Sequence, residues 1–179
     1  MIKLIGRMIP LLISSVGSQG VTCATPVESR FRVLPHDIDL NLHLNNGRYL
    51  QLFDLNRAEW LIRTGILAAV LKQGWKPVLG SVSIQYRKEL RLWEQGRMET
   101  RLLGWDDRWT FLEHRMTSMN GQPVALALAK AGFRHRGGWV RPDTLQDLLP
   151  YDLPDLELPD RVLAWQQLDG LVGDRLTQR

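Results

Sequence analysis

Thirteen consecutive residues, Asp37-Ile38-Asp39-Leu40-Asn41-Leu42-His43-Leu44-Asn45-Asn46-Gly47-Arg48-Tyr49, bring two carboxylates, an imidazole and three carboxamides together. Asp and Asn side chains compete with the backbone for hydrogen bonds, so such a mixture makes an ordered polar loop rather than a regular helix or strand. A helical pattern starts where the loop ends. The loop therefore feeds a helix N-terminus, with its unpaired N–H groups and partial positive charge. A carboxylate that can take a proton, an imidazole and oriented N–H donors are what hydrolysis of an activated acyl group requires. Asp39, Asn41 and His43 are the candidate reacting groups, with Asn45, Asn46 and Gly47 as the candidate donors. Gly47 would also let a substrate approach the backbone closely. Leu40, Leu42 and Leu44 around the carboxylate would keep it partly dry.

Taken singly, these residues have plainer readings. Asp37, Asp39 and Asn41 suit Asx turns and caps, His43 suits a structural histidine, and Asn45-Asn46-Gly47 suits a helix N-cap. Their joint presence at fixed spacing is what points to chemistry.

The elements that must position them follow from periodicity. Val27, Phe31 and Val33 share one parity against Glu28, Arg30 and Arg32, which predicts a strand over 26–34. Tyr49, Leu52, Phe53 and Trp60 recur at helical spacing over 46–64, and Gly65 supplies a stop. Apolar residues wrap most of that helix, so it should be covered on several sides. A short helix over 66–72 and a turn at 74–77 come next. The period then changes to two over 81–87, 96–105 and 109–115, and Asn120-Gly121 marks a hairpin before the small-apolar run 124–133. One long helix followed by an antiparallel meander predicts an α+β fold, a curved sheet wrapped around the helix. Beyond Pro142, Pro150, Pro154 and Pro159 interrupt the chain ahead of a predicted surface helix over 161–171.

The chain has 179 residues, 44% hydrophobic and 23% charged, with a net charge of +4. That is one domain of ordinary size. We divide it into an apolar N-terminal segment (1–25), the helix-and-sheet domain (26–141) and a proline-rich extension with short helices (142–179). The basic residues Arg87, Lys88, Arg91, Arg134 and Arg136 form no long run, which suits an anionic small ligand better than nucleic acid. The single Cys23 excludes an intrachain disulfide, and no Cys/His spacing suggests a metal or other cofactor. Lys3 and Arg7 before the apolar run Met8–Val16 suit a short amphipathic helix that touches a membrane or a partner subunit, or else a cleaved signal. The run is far below the roughly 20 apolar residues that span a bilayer.

Asp39-Leu40-Asn41-Leu42-His43-Leu44-Asn45-Asn46 with Tyr49 resembles the Asp-x-Asn-x-His-x-Asn-Asn-x-x-Tyr signature of hotdog-fold thioesterases, those acting on acyl-CoA or acyl-carrier protein. It is also similar to the 4-hydroxybenzoyl-CoA thioesterase-like group and to small proteobacterial proteins with Asn-Asn-Gly-Arg-Tyr. Ile84-Gln85-Tyr86-Arg87-Lys88-Glu89 resembles a second motif, Tyr-Arg-Arg-Glu-Cys, of the acyl-carrier enzymes. The resemblance covers about residues 30–135 and implies a hotdog domain that pairs into a homodimer or homotetramer. By it, Asp39 is general base or nucleophile, Asn41 fixes it or the water, and His43 orients the carbonyl. Glu89 assists from the sheet, while Asn45, Asn46, Gly47 and Tyr49 meet the substrate. Leu90 stands where those enzymes carry cysteine, so a cysteine nucleophile there is ruled out. Glu89 also has a plainer reading, as part of a solvated ion-paired edge with Arg87, Lys88 and Arg91. The expectation is a cofactor-independent, cytoplasmic acyl thioester hydrolase, its N-terminal segment a candidate membrane contact. The alternative is a non-catalytic acyl-thioester-binding or scaffold protein on the same fold.

Overall fold

A computed structural model describes residues 21–177. The expected N-terminal amphipathic helix, over the run Met8–Val16, lies outside them. The chain runs β1 (Val27–Arg32), α1 (Asn46–Arg63), α2 (Ile66–Lys72), β2 (Lys76–Tyr86), β3 (Gln95–Trp105), β4 (Thr110–Ser118), β5 (Pro123–His135), β6 (Gly138–Val140) and α3 (Asp160–Thr177). The main sheet is antiparallel in the order β1-β3-β4-β5-β2, with β6 paired to β5. This is the α+β hotdog architecture, a curled sheet around one long helix.

Alternation accounts for β1, whose Val27, Ser29 and Phe31 are buried while Glu28, Arg30 and Arg32 face out. The helix α1 starts on Asn45, whose side chain accepts the Gly47 N–H. It ends at Gly65, whose φ of 76° only glycine adopts without penalty. Tyr49, Leu52, Phe53 and Leu55 bury themselves against Phe31, Val33, Met98, Met116 and Val124. A second cluster joins Trp60 to Val70, Leu102, Leu112 and Phe133. Each fully buried Leu or Phe contributes about 1.5–3 kcal/mol, so this seam is what seats the helix in the sheet.

Two elements, the second strand and the C-terminal helix, differ from the sequence pattern. The second strand begins at Lys76 rather than Ser81, because Pro77 can sit on a free sheet edge. The register slips at Gly80, where any Cβ would lie 2.6 Å from the Trp109 ring. The C-terminal helix runs Asp160–Thr177, longer than its apolar spacing suggested. It is held to the outer face of the sheet by Val162 and Trp165 against Leu103 and Phe111, and by polar contacts that periodicity does not register. Arg161 Nη2 donates to Glu113 Oε2 at 3.0 Å, and Asp169 accepts from Ser81 Oγ at 2.5 Å and from Lys130. No helix among the described residues is long and apolar enough to cross a membrane.

Candidate active site

The polar loop is built on a buried acid. Asp37 is 2% exposed, and its Oδ2 accepts the Leu34 N–H at 2.9 Å, closing the turn that starts at Pro35. Its backbone carbonyl accepts the Asn45 N–H at 2.9 Å, which ties the loop to the helix start. Arg48 reaches back to donate to the His36 carbonyl at 2.9 Å. Asp37 is thus the frame of the loop.

Asp39 sits on that frame with a side chain 23% exposed. Its Oδ1 accepts the Asn41 N–H at 2.9 Å, an Asx turn, and lies 3.8 Å from His43 Nδ1. The loop is drawn shut by Asp39 N–H donating to the His43 carbonyl at 3.1 Å. Among the described residues Oδ2 of Asp39 has no hydrogen-bond partner, which leaves its lone pairs available to a water or a substrate. Asn41 acts on Asp39 through its backbone, since its side chain is exposed. Leu40 and Leu42 are exposed, and of the three leucines only Leu44 is buried. The expected drying of Asp39 by all three therefore does not occur within one chain, because Leu42 adopts a φ of 62° and turns its side chain outward.

The helix start departs from expectation as well. The Asn45 N–H is taken by Asp37 and the Gly47 N–H by Asn45 Oδ1 at 2.9 Å, so those two amides cap the fold. Of the three candidate amides, that of Asn46 alone has no acceptor among the described residues and is left as a donor toward a developing negative charge. A Cβ on Gly47 would stand 3.2 Å from Asn45 Oδ1, so that glycine serves the cap.

Glu89 comes to the same place from 50 residues along the chain. The Leu44 N–H donates to the Leu90 carbonyl at 2.7 Å, and His43 is bridged to Arg91. Glu89 itself is exposed and paired with Arg91, Oε1 to Nη2 at 2.9 Å. It combines both sequence readings: an ion-paired edge residue, but one placed beside the loop. Tyr49 is buried against Tyr86, ring centroids 5.0 Å apart and nearly perpendicular. Burial first, then the nearby Tyr86 and Glu89 charges, push its hydroxyl up to about 12. It is a neutral wall of the site. Tyr86, which donates to the Asn46 carbonyl at 3.2 Å, braces the helix start and was legible only as part of the second motif.

Sequence reasoning missed a second polar group, buried in the core behind the helix. His114 Nδ1 lies 2.8 Å from Thr100 Oγ1, which contacts Asn56 Oδ1 at 2.6 Å, and Asn56 Nδ2 donates to Ser29 Oγ at 2.8 Å. Arg57 Nη1 faces His114 Nε2 at 3.4 Å. Burial and the Arg57 charge hold His114 down to about 3, so it is neutral. A histidine on an otherwise apolar strand face was the available signal. Among the described residues no cluster of His, Cys, Asp or Glu could hold a metal ion.

Residues 33–165 match the family model of the thioesterase-like superfamily. The chain belongs to the thioesterase-like superfamily. The thioesterase-like chain is 34% identical to Protein THEM6 of Xenopus laevis over 133 residues, covering 74% of this chain and 63% of that one. It thus spans less than two thirds of that relative's length. Its fold is similar to a Staphylococcus aureus protein solved in complex with CoA, at a TM-score of 0.64 and 14% identity over 81% of this chain and 96% of the other. It is also similar to a gentisyl-coenzyme A thioesterase, at a TM-score of 0.57 and 15% identity, covering 68% and 98%. At such identities the likeness is one of fold.

Proposed function

We propose that the protein hydrolyses an acyl thioester to a free acid and a thiol, with Asp39 as the general base. The observation that carries this is the convergence of the two motifs at the start of α1, where Asp39 keeps one carboxylate oxygen unengaged beside His43. Water held by that oxygen loses its proton to Asp39 as it attacks the thioester carbonyl. Negative charge then develops on the carbonyl oxygen, where the Asn46 amide and the helix N-terminus stabilise it. The tetrahedral adduct collapses by breaking the C–S bond, and the thiolate takes up a proton. His43, 3.8 Å from Asp39, fixes the carboxylate's orientation. Neither metal nor organic cofactor is needed for these steps. Coenzyme A as the leaving thiol is favoured by superfamily membership and by CoA in the Staphylococcus aureus relative, with acyl-carrier protein as the other candidate. The same reading makes the protein cytoplasmic, a homodimer or homotetramer, with its apolar N-terminal segment as a membrane contact.

The test is a thiol-release screen over short, long and aromatic acyl-CoAs. We expect one class to turn over, and Asp39→Ala to lower kcat at least 100-fold, about the contribution of a general base. The binding-only alternative draws on the Asx turn that occupies Asp39 Oδ1. It predicts intact acyl-CoA recovered after hours of incubation.

A further inference from the structure

The two ends of the sheet carry different side chains. At one end Tyr86 of β2 donates to the Asn46 carbonyl beside the Asp39 loop. The other end lies roughly 33 Å along β2 at 3.3 Å per residue. There Lys76 pairs with Arg134 of β5, which in turn pairs with Trp139 of β6. The turn between β3 and β4 brings Arg108 to the same place, its guanidinium 3.9 Å from the Trp139 ring and 4.8 Å from that of Trp109. Arg134 lies 5.2 Å from the Trp139 ring.

Lys76, Arg108, Arg134 and Arg136 are exposed, and none has a carboxylate partner among the described residues. The neighbouring Lys130 and Arg141 do, the first in Asp169, the second in Asp107 and Asp143. Asp106, another acid at this end, accepts the Arg108 and Trp109 amides within the turn. The free cations therefore stand around a groove of about 820 Å³ whose wall includes Lys76, Arg134, His135 and Arg136 and no carboxylate. Trp109 and Trp139 are half-buried beside it. Indole rings suit the headgroup level of a bilayer, and clustered lysine and arginine are drawn to an anionic leaflet.

The chain that arrives at this end decides between a lipid and a soluble anion. β1 pairs Val27 with Thr100 of β3, and upstream Cys23 shares a small void with Trp105 at the end of β3. Val21 packs on the cluster that holds Trp75 and Val140, the sequence neighbours of Lys76 and Trp139. Residues 1–20 therefore join the fold at the cationic end. They include Lys3, Arg7 and the apolar run 8–16, and no Asp or Glu precedes Glu28. A soluble phosphate would use the cations and leave that apolar segment without a role.

We propose that this end of the sheet docks on an anionic membrane surface. Lys76, Arg108, Arg134 and Arg136 meet the headgroups, Trp109 and Trp139 sit at the interface, and residues 1–20 enter it beside them. The inference rests on the reading of the N-terminal segment as a membrane contact, to which it adds the docking face and the lipid charge. It is independent of the hydrolase reading.

Co-sedimentation of the full chain with vesicles tests this, using phosphatidylcholine alone or phosphatidylcholine mixed with phosphatidylserine. At about 0.1 M salt the chain should bind the mixed vesicles about tenfold more tightly or better, and about 1 M salt should erase that preference. Arg134→Gln/Arg136→Gln, with circular dichroism showing an unchanged fold, should lose about tenfold or more on mixed vesicles and nothing on neutral ones. Arg30→Gln/Lys88→Gln removes the same charge toward the other end of the sheet and should leave both affinities unchanged. Equal loss from the two variants would mean attraction by net charge alone, which overturns the proposal. Equal binding to both kinds of vesicle, or an unchanged affinity in Arg134→Gln/Arg136→Gln, overturns it too, and the N-terminal segment then makes the contact by itself. Binding to neither kind of vesicle overturns the docking face and the membrane reading beneath it together.

Discussion

The proposed chemistry rests on a division of labour between two aspartates in the same loop. Asp37 is buried, with Oδ2 taken by the Leu34 amide and Oδ1 facing His36 and Arg48, while Asp39 keeps one oxygen unengaged at the surface of the loop. Asn45 has a matching structural duty: its side chain caps α1 through the Gly47 amide at 2.9 Å. Asn45→Ala should therefore lower unfolding stability by about 1 kcal/mol, and activity with it as the loop loosens, measured by urea denaturation and thiol release. Unchanged stability would show that the cap is dispensable. The identity of these residues was legible in the sequence, because polar side chains at fixed spacing carry their own signature. The cap was legible too, since Asn45-Asn46-Gly47 already suited a helix N-cap and Asn45 does accept the Gly47 amide. Nothing in the pattern told that Leu42 would adopt a left-handed backbone and point outward. That depends on how the loop closes in three dimensions.

At the scale of elements, the long helix and its partners were legible because apolar spacing reports burial directly. Strand and helix ends were less so: β2 gains five residues ahead of Ser81 by pairing with β5, and α3 runs on to Thr177. The Gly80 bulge marks a close contact, since the Trp109 ring lies where a side chain would be. Gly80→Val should cost about 1–3 kcal/mol by overpacking, read as a lower Tm, and an unchanged Tm would deny that contact. The buried web from Ser29 through Asn56 and Thr100 to His114 joins β1, α1, β3 and β4. Its histidine is neutral in the fold, held to about 3, against 6.5 for an ordinary histidine. Since the unfolded chain binds the proton first, this group's contribution to stability is complete above pH 6.5 and is lost as pH falls toward 3. The loss approaches about 1.4 kcal/mol per pH unit for this one proton. Denaturation of wild type and His114→Gln between about pH 7 and about pH 4 should show the shallower acid slope in the variant. Parallel slopes would mean that His114 is not the titrating group.

The whole molecule is a sheet whose end strands are β1 and β2, wrapped around a helix whose N-terminus carries the proposed site. On the outer face of the sheet α3 packs with Asp169 in contact with Lys130 and Ser81. The proposed homodimer would pair along the β2 edge, which carries no charged residue from Pro77 to Tyr86. Ser83→Lys places like charges close to the two-fold axis, and sedimentation should then show the dimer dissociating to monomer with acyl-CoA turnover falling in parallel. Retention of both at wild-type levels would contradict the account of the edge.

The central claim is that the Asp39 carboxylate takes the proton from the attacking water. It is tested most directly by the steady-state kcat of Asp39→Asn on the acyl-CoA that wild type cleaves fastest, with circular dichroism showing an unchanged fold. Asparagine keeps an oxygen for the Asn41 amide but cannot act as the base. The account predicts a kcat reduced by at least 100-fold, roughly a general base's contribution. A kcat within a few-fold of wild type would contradict it.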